Sequence, residues 1–226
     1  MKLKEIFEKI ESGDFSPEIN AELHKSLRRS GDDFIRSQHC RVLAQRVFGS
    51  GHPGSNEYAL LLLNDAELMY TASSVTELTS VWQLRGNMLF EQGDYEGAYN
   101  NFSKWAKAEE AKQTGLKGAQ YDLLRAVLLR DSFGMSDEIK QVFALSKQDS
   151  SFVMRDMKIY RLVGEMVIAA HEGDEALQES LRSEAQQIID SKNHPSGLEK
   201  AYAKNRIKDA VSVPDKVLEY IKAPRE

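Results

Sequence analysis

The stretch from Trp82 to Phe102 reads W-Q-L-R-G-N-M-L-F-E-Q-G-D-Y-E-G-A-Y-N-N-F. It lies inside residues 54–194, a long segment without proline: the chain's five prolines stand at 17, 53, 195, 214 and 224. In its middle, Gly93-Asp94 supplies a turn glycine and a side chain that can cap a new helix. Outward along the chain, apolar residues recur at three- and four-residue steps, as in Tyr121, Leu124, Val127, Leu128 and again in Tyr160, Val163, Val167, Ile168. That spacing belongs to helices with one buried face. No run of alternating β-branched residues bounded by turns interrupts it, so the chain reads as all-α. Ser16-Pro17, Ser136-Asp137 and Gly173-Asp174 punctuate it as Gly93-Asp94 does, and helices should come in pairs joined by tight turns. The pattern predicts helices over 2–12, 16–29, 31–48, 55–71, 74–92, 95–111, 116–132, 136–147, 150–171, 174–191, 196–210 and 214–222, with the last five residues frayed.

Helical pairs recurring at a fixed period mark a solenoid, which makes the internal repeat the first question to ask. The stretch 82–102 resembles a tetratricopeptide repeat (TPR): Trp82, Gly86, Gly93, Tyr95, Ala98 and Phe102 fall at that family's signature spacing. The resemblance implies that Gly86 and Ala98 are small where two helices cross closely, that Gly93 permits the turn, and that Trp82, Tyr95 and Phe102 fill the gap between hairpins. Arg85 stands where the family has a leucine, Leu89 where it has a tyrosine, and no proline ends the second helix near Glu110. Trp82, Tyr121 and Tyr160 follow one another at 39-residue steps, and Gly86/Ala98 recur 78 residues later as Gly164/Ala176. A family period of about 34 leaves each unit roughly five residues longer than usual. The expected architecture is a degenerate TPR-like α-solenoid of antiparallel helix pairs. Residues 1–75 form its N-terminal helical cap region, 76–192 its repeats, and 193–226 its C-terminal capping helices and short tail.

Composition removes several classes. In 226 residues, 41% are hydrophobic and 29% charged with a net charge of −5, an ordinary soluble globular balance. The longest apolar runs, such as Ala59 to Leu63, fall far short of the ~20 residues that cross a bilayer. Acidic residues follow Met1-Lys2-Leu3-Lys4-Glu5, which predicts no signal peptide. The lone Cys40 fits a reducing compartment, and a cytoplasmic location is expected.

Little in the sequence asks for chemistry. Gly49-Ser50-Gly51-His52-Pro53-Gly54 matches the letters G-x-G-x-x-G, but a helix precedes it and Pro53 removes a backbone donor. It reads as a helix-to-helix loop with Gly49 as C-cap and Ser55 as N-cap. Cys40 and His39 are adjacent on a helix, so they point about 100° apart, and Cys40 reads as a small buried thiol. The histidines at 24, 39, 52, 171 and 194 show no i,i+3 or i,i+4 pairing and no cysteine cluster, so neither a metal nor another cofactor is expected. Carboxylate pairs such as Asp32-Asp33, Glu109-Glu110 and Asp174-Glu175 suit helix starts and solvated faces. The chain reads as a non-enzyme.

In TPR-like solenoids the first helix of each pair lines a concave groove. Carried over from the matching unit, the groove positions are Gln83, Asn87, Phe90 and Glu91. The 39-residue phase adds Asp122 and Arg130, then Lys158, Arg161 and Glu165. The resemblance implies that Asn87 hydrogen-bonds a peptide backbone and that Phe90 walls a pocket. Gln83 and Glu91 stand where lysines clamp a carboxylate in some members, so no such clamp is expected. Arg130 and Arg161 could each grip a partner's carboxylate with a forked guanidinium, and replacing both by Glu should abolish capture without unfolding the chain. The expected function is a protein-binding adaptor or chaperone-like protein holding a peptide or helix, with self-association as a homodimer a further expectation. The alternative rests on charge: residues 21–48 carry Lys25, Arg28, Arg29, Arg36, Arg41 and Arg46 against three acids, a surface that could receive nucleic acid while the repeats sense or self-associate. A pI near 5.7 argues against general nucleic-acid affinity. A pocket gathering histidine and carboxylates around His39 or His171 would instead argue for an enzyme.

Overall fold

The structure, a computed structural model, describes residues 1–70, 75–111, 118–148, 155–190 and 213–223, of which 75–76, 148 and 155–156 are described by backbone alone. Every regular element among them is a helix, and the chain is all-α. In order these are α1 (Leu3–Glu11), α2 (Pro17–Leu27), α3 (Asp33–Val47), α4 (Ser55–Met69), α5 (Val75–Glu91), α6 (Tyr95–Glu110), α7 (Ala119–Arg130), α8 (Asp137–Gln148), α9 (Arg155–Glu172), α10 (Glu175–Asp190) and α11 (Asp215–Lys222). The helix expected over 196–210 lies outside the described residues.

Side-chain caps place several helix starts. Ser16 accepts the Ile19 N–H ahead of Pro17, Asp32 accepts that of Ile35 at 3.0 Å, Asp94 that of Gly97 at 2.9 Å, and Asp174 that of Leu177 at 3.0 Å. Gly93 and Gly173, at φ +80° and +73°, take the left-handed conformation that reverses the chain before Asp94 and Asp174. The 49–54 run is a helix-to-helix loop, with one correction to its ends. Phe48 closes α3, Gly54 at φ +78° stands at the N-cap, and Ser55 is already inside α4 with 4% exposure.

The chain divides into two compact units, Met1–Leu116 and Lys117–Glu226. The division falls inside the segment 76–192 that the repeat pattern treats as one region. In the first unit α3 pairs with α4 and α5 with α6; in the second α7 pairs with α8 and α9 with α10. The first unit's core runs through Ile6, Ile10, Leu23, Leu27, Leu43, Leu62, Leu63 and Met88, so α1 and α2 share one apolar interior with the α3–α4 hairpin and α5. In the second, Leu124, Leu128, Ile139, Val163 and Met166 are buried, and α7 packs on α9 as well as on α8.

Candidate functional site

Residues 82–102 form the facing parts of α5 and α6. Gly86 on α5 faces the Phe102 ring of α6 so closely that a Cβ there would overlap it, and Ala98 and Phe102 are both fully buried. Trp82 and Arg85 turn toward α4. The Glu67 carboxylate accepts the Trp82 indole N–H at 2.8 Å, pairs with the Arg85 guanidinium, and lies 3.5 Å from Lys104 of α6. Arg85 is 8% exposed, so the residue standing in the family's leucine position is interior too, its charge answered by Glu67. Desolvation pushes the Glu67 carboxyl up, but the hydrogen bonds from Trp82 and Arg85 and the charges of Arg85 and Lys104 outweigh it and hold Glu67 below its ordinary range. Glu67 ties three helices together. Nothing in its local sequence marks it, because its partners come from elements that only the fold brings near.

Of the groove positions expected in this unit, Gln83 and Asn87 are half-buried on α5 and Glu91 is exposed at its last residue. Phe90 is 7% exposed and packs edge-on against Tyr95, ring centroids 5.3 Å apart. Its ring fills the hairpin of its own unit.

In the second unit the charged positions are drawn into local pairs. Arg130, at the end of α7, forks onto Asp131 at 2.7 and 3.1 Å and reaches Glu138 of α8. Arg161 donates to the Ser146 carbonyl at the end of α8. Glu165 meets Lys147 of α8 at 3.3 Å, and the Lys147 ammonium sits 4.4 Å from the Phe143 ring centre. Asp122 is 8% exposed and forms an ion pair with Arg125 one turn on, 2.8 Å away. Lys158 is exposed. Arg161 and Glu165 thus share one seam with α8, while Arg130 stands at the α7–α8 turn. Charge reversal at Arg130 and Arg161 would break internal contacts, so that double variant should not leave the chain's stability unchanged.

Packing between first helices is a separate matter. Tyr121 of α7 and Tyr160 of α9, equivalent in the 39-residue phase, meet edge to face with centroids 6.1 Å apart.

In the first unit, α1 and α3 enclose an open groove of about 470 Å³, with Leu3, Phe7 and Val42 as apolar wall and Lys4, Glu8, Glu11, His39 and Arg46 around it. This brings His39 beside two carboxylates, but Glu11 is held by Arg46 at 3.0 Å and Glu8 lies 3.7 Å from Lys4. The His39 ring instead meets Phe7 edge-on at 6.0 Å. The neighbouring Cys40 is 1% exposed, and burial pushes its thiol up to about 12, with Asp65 adding in the same direction. It is a structural thiol. Of the basic residues in 21–48, Lys25 pairs with Glu22 at 3.1 Å, Arg36 with Asp33 at 3.0 Å and Arg46 with Glu11, which removes half of that cluster's cations from an open basic surface. Among the described residues no group of three or more His, Cys, Asp or Glu stands close enough to hold a metal ion, and no helix is long and apolar enough to cross a membrane.

The described residues define an all-helical protein in which α3 pairs with α4, α5 with α6, α7 with α8 and α9 with α10. Comparison of the chain with protein-family models, with curated proteins and with solved structures finds no match.

Proposed function

We propose that the chain is a protein-binding adaptor or chaperone-like protein, a degenerate TPR-like solenoid without enzymatic activity. In this reading the first helices of successive hairpins hold a peptide or helix of a partner. The observation that carries it is the stacking of α7 on α9 through Tyr121 and Tyr160. Side-by-side first helices are what a groove of this kind is made from, and the contact uses the two residues that the repeat phase equates. A buried, protonated cysteine suits a reducing compartment, in keeping with a cytoplasmic protein.

With Arg130, Arg161 and Glu165 held in internal contacts, the recognition role on α9 is tested at Lys158, whose side chain is exposed. The test is capture from host lysate by the wild type and by Lys158→Glu, with proteins and nucleic acids identified separately at low and high salt. A protein retained by the wild type and lost by the variant, at unchanged melting temperature, supports the proposal. Equal retention by both forms refutes the groove assignment, and nucleic acid retained only at low salt would transfer the function to residues 21–48.

A further inference from the structure

The last described helix is too short to stand by itself. Helix α11 has eight residues, and isolated helices of that length are marginal in water, so its helicity depends on what it packs against. Val217 and Ile221, on one face, are 0% and 1% exposed. Tyr220 lies flat on Phe133, ring centroids 4.4 Å apart and planes 17° from parallel. One terminal nitrogen of Arg182 on α10 stands 3.3, 2.8 and 2.6 Å from the carbonyl oxygens of Tyr220, Ile221 and Ala223. A cation there satisfies carbonyls that a helix end leaves open and opposes its dipole.

The receiving side is shaped for this. Phe133 and the preceding Ser132 hold φ of +62° and +50°, a conformation that non-glycine residues avoid, and the α7–α8 turn thereby aims the Phe133 ring at Tyr220. Leu181 and Ala185 provide the buried stripe of α10, on which α11 packs. A flat aromatic and an arginine at its C-terminal end, with an apolar stripe beneath, make three-point recognition of a short amphipathic helix.

We infer that the surface formed by Phe133, Arg182 and the Leu181/Ala185 stripe is a helix-binding site, and that α11 is its tethered ligand. The ligand class is an amphipathic helix with apolar residues at i, i+3 and i+4 that ends where Val217, Tyr220 and Ile221 place the end of α11. Covalently joined to α10, α11 competes with any free helix as an intramolecular ligand. An incoming helix therefore binds well only when α11 leaves.

Native-state hydrogen exchange on the unmodified full chain tests the detachment. Amides of α11 should exchange through a local opening, about ten-fold or more faster than the central amides of α9. Equal protection in α11 and α9 would overturn the inference, because α11 would then open only with the rest of the unit. The site itself is tested with a labelled peptide of residues 213–223, titrated into the full-length wild type and into full-length Val217→Asp/Ile221→Asp. The variant should bind the peptide at least about ten-fold more tightly than the wild type, and adding Arg182→Ala should remove most of that gain. A variant that keeps its helical signal yet takes no peptide contradicts the site; should it lose that signal, the exchange experiment on the wild type decides alone.

Discussion

The hairpins α5–α6 and α9–α10 carry the same short signature and use it differently. In α5–α6, Gly86 accepts the Phe102 ring of its own partner helix, with Ala98 buried beside it. In α9–α10, Gly164 receives Phe143 from the preceding helix α8, its would-be Cβ 3.0 Å from that ring, and Ala176 is exposed. The turns explain the difference. Gly86 and Gly164 are 78 residues apart, but Gly93-Asp94 and Gly173-Asp174 are 80 apart, so α9 runs two residues further before the chain reverses. Two residues rotate a helix by roughly 200°. Counted from the turn, the buried Asn101 and Trp105 of α6 correspond to Leu181 and Ala185, the buried residues of α10. The same count puts Arg182 in the place of Phe102, where it reaches the end of α11. A turn sets the phase of the helix after it, and a repeat aligned on the first helix alone misassigns the second.

The largest effect that would sharpen this comparison belongs to the α5–α6 side. Glu67→Ala leaves Arg85 with a buried, unanswered charge and should cost about 3 kcal/mol in urea unfolding at pH 7. The linkage has a definite sign. Because the folded-state pKa of Glu67 lies below its unfolded value, its contribution is present above about pH 4.3 and is lost as pH falls through the folded value. The gap between wild type and variant should therefore narrow in acid. A gap that stays constant down to pH 2.5 would remove Glu67 from the account.

Next comes the glycine pair. Gly86→Ala places a methyl in the Phe102 ring and should destabilise by about 1–2 kcal/mol despite alanine's better helix propensity. Gly164→Ala meets Phe143 at a distance a small ring shift relieves, and its change should stay within about 0.5 kcal/mol. Thermal melts of both variants separate them. Smaller in energy but simple to read is Cys40: at pH 8 a thiol-specific reagent should label the folded chain at least roughly 100-fold more slowly than the chain in urea. Rapid labelling of the folded chain would mean that α3 is not packed as described.

Helix positions were legible because caps and breakers are local. Ser16-Pro17, Gly93-Asp94, Ser136-Asp137 and Gly173-Asp174 each announce a start, and the structure uses all four. Gly86, Ala98 and Phe102 pack together within one hairpin. What could not be read were contacts between elements distant in sequence. Arg130 and Arg161, open to a partner on paper, find Glu138 and the Ser146 carbonyl, both on α8. Glu67 finds Trp82 and Arg85 on the next helix, and Arg182 finds α11 some forty residues on. The displaced phase of α10 was in the sequence all along, in the two Gly-Asp turns.

The most direct test of that phase is a matched pair of variants, Ala98→Leu and Ala176→Leu, unfolded in urea under one set of conditions. Overfilling the closed α5–α6 crossing should cost about 1–3 kcal/mol, and Leu on the open face of α10 should change stability by no more than about 0.5 kcal/mol. Equal losses at the two positions would mean that both hairpins close on the same signature and that the turn does not set the phase.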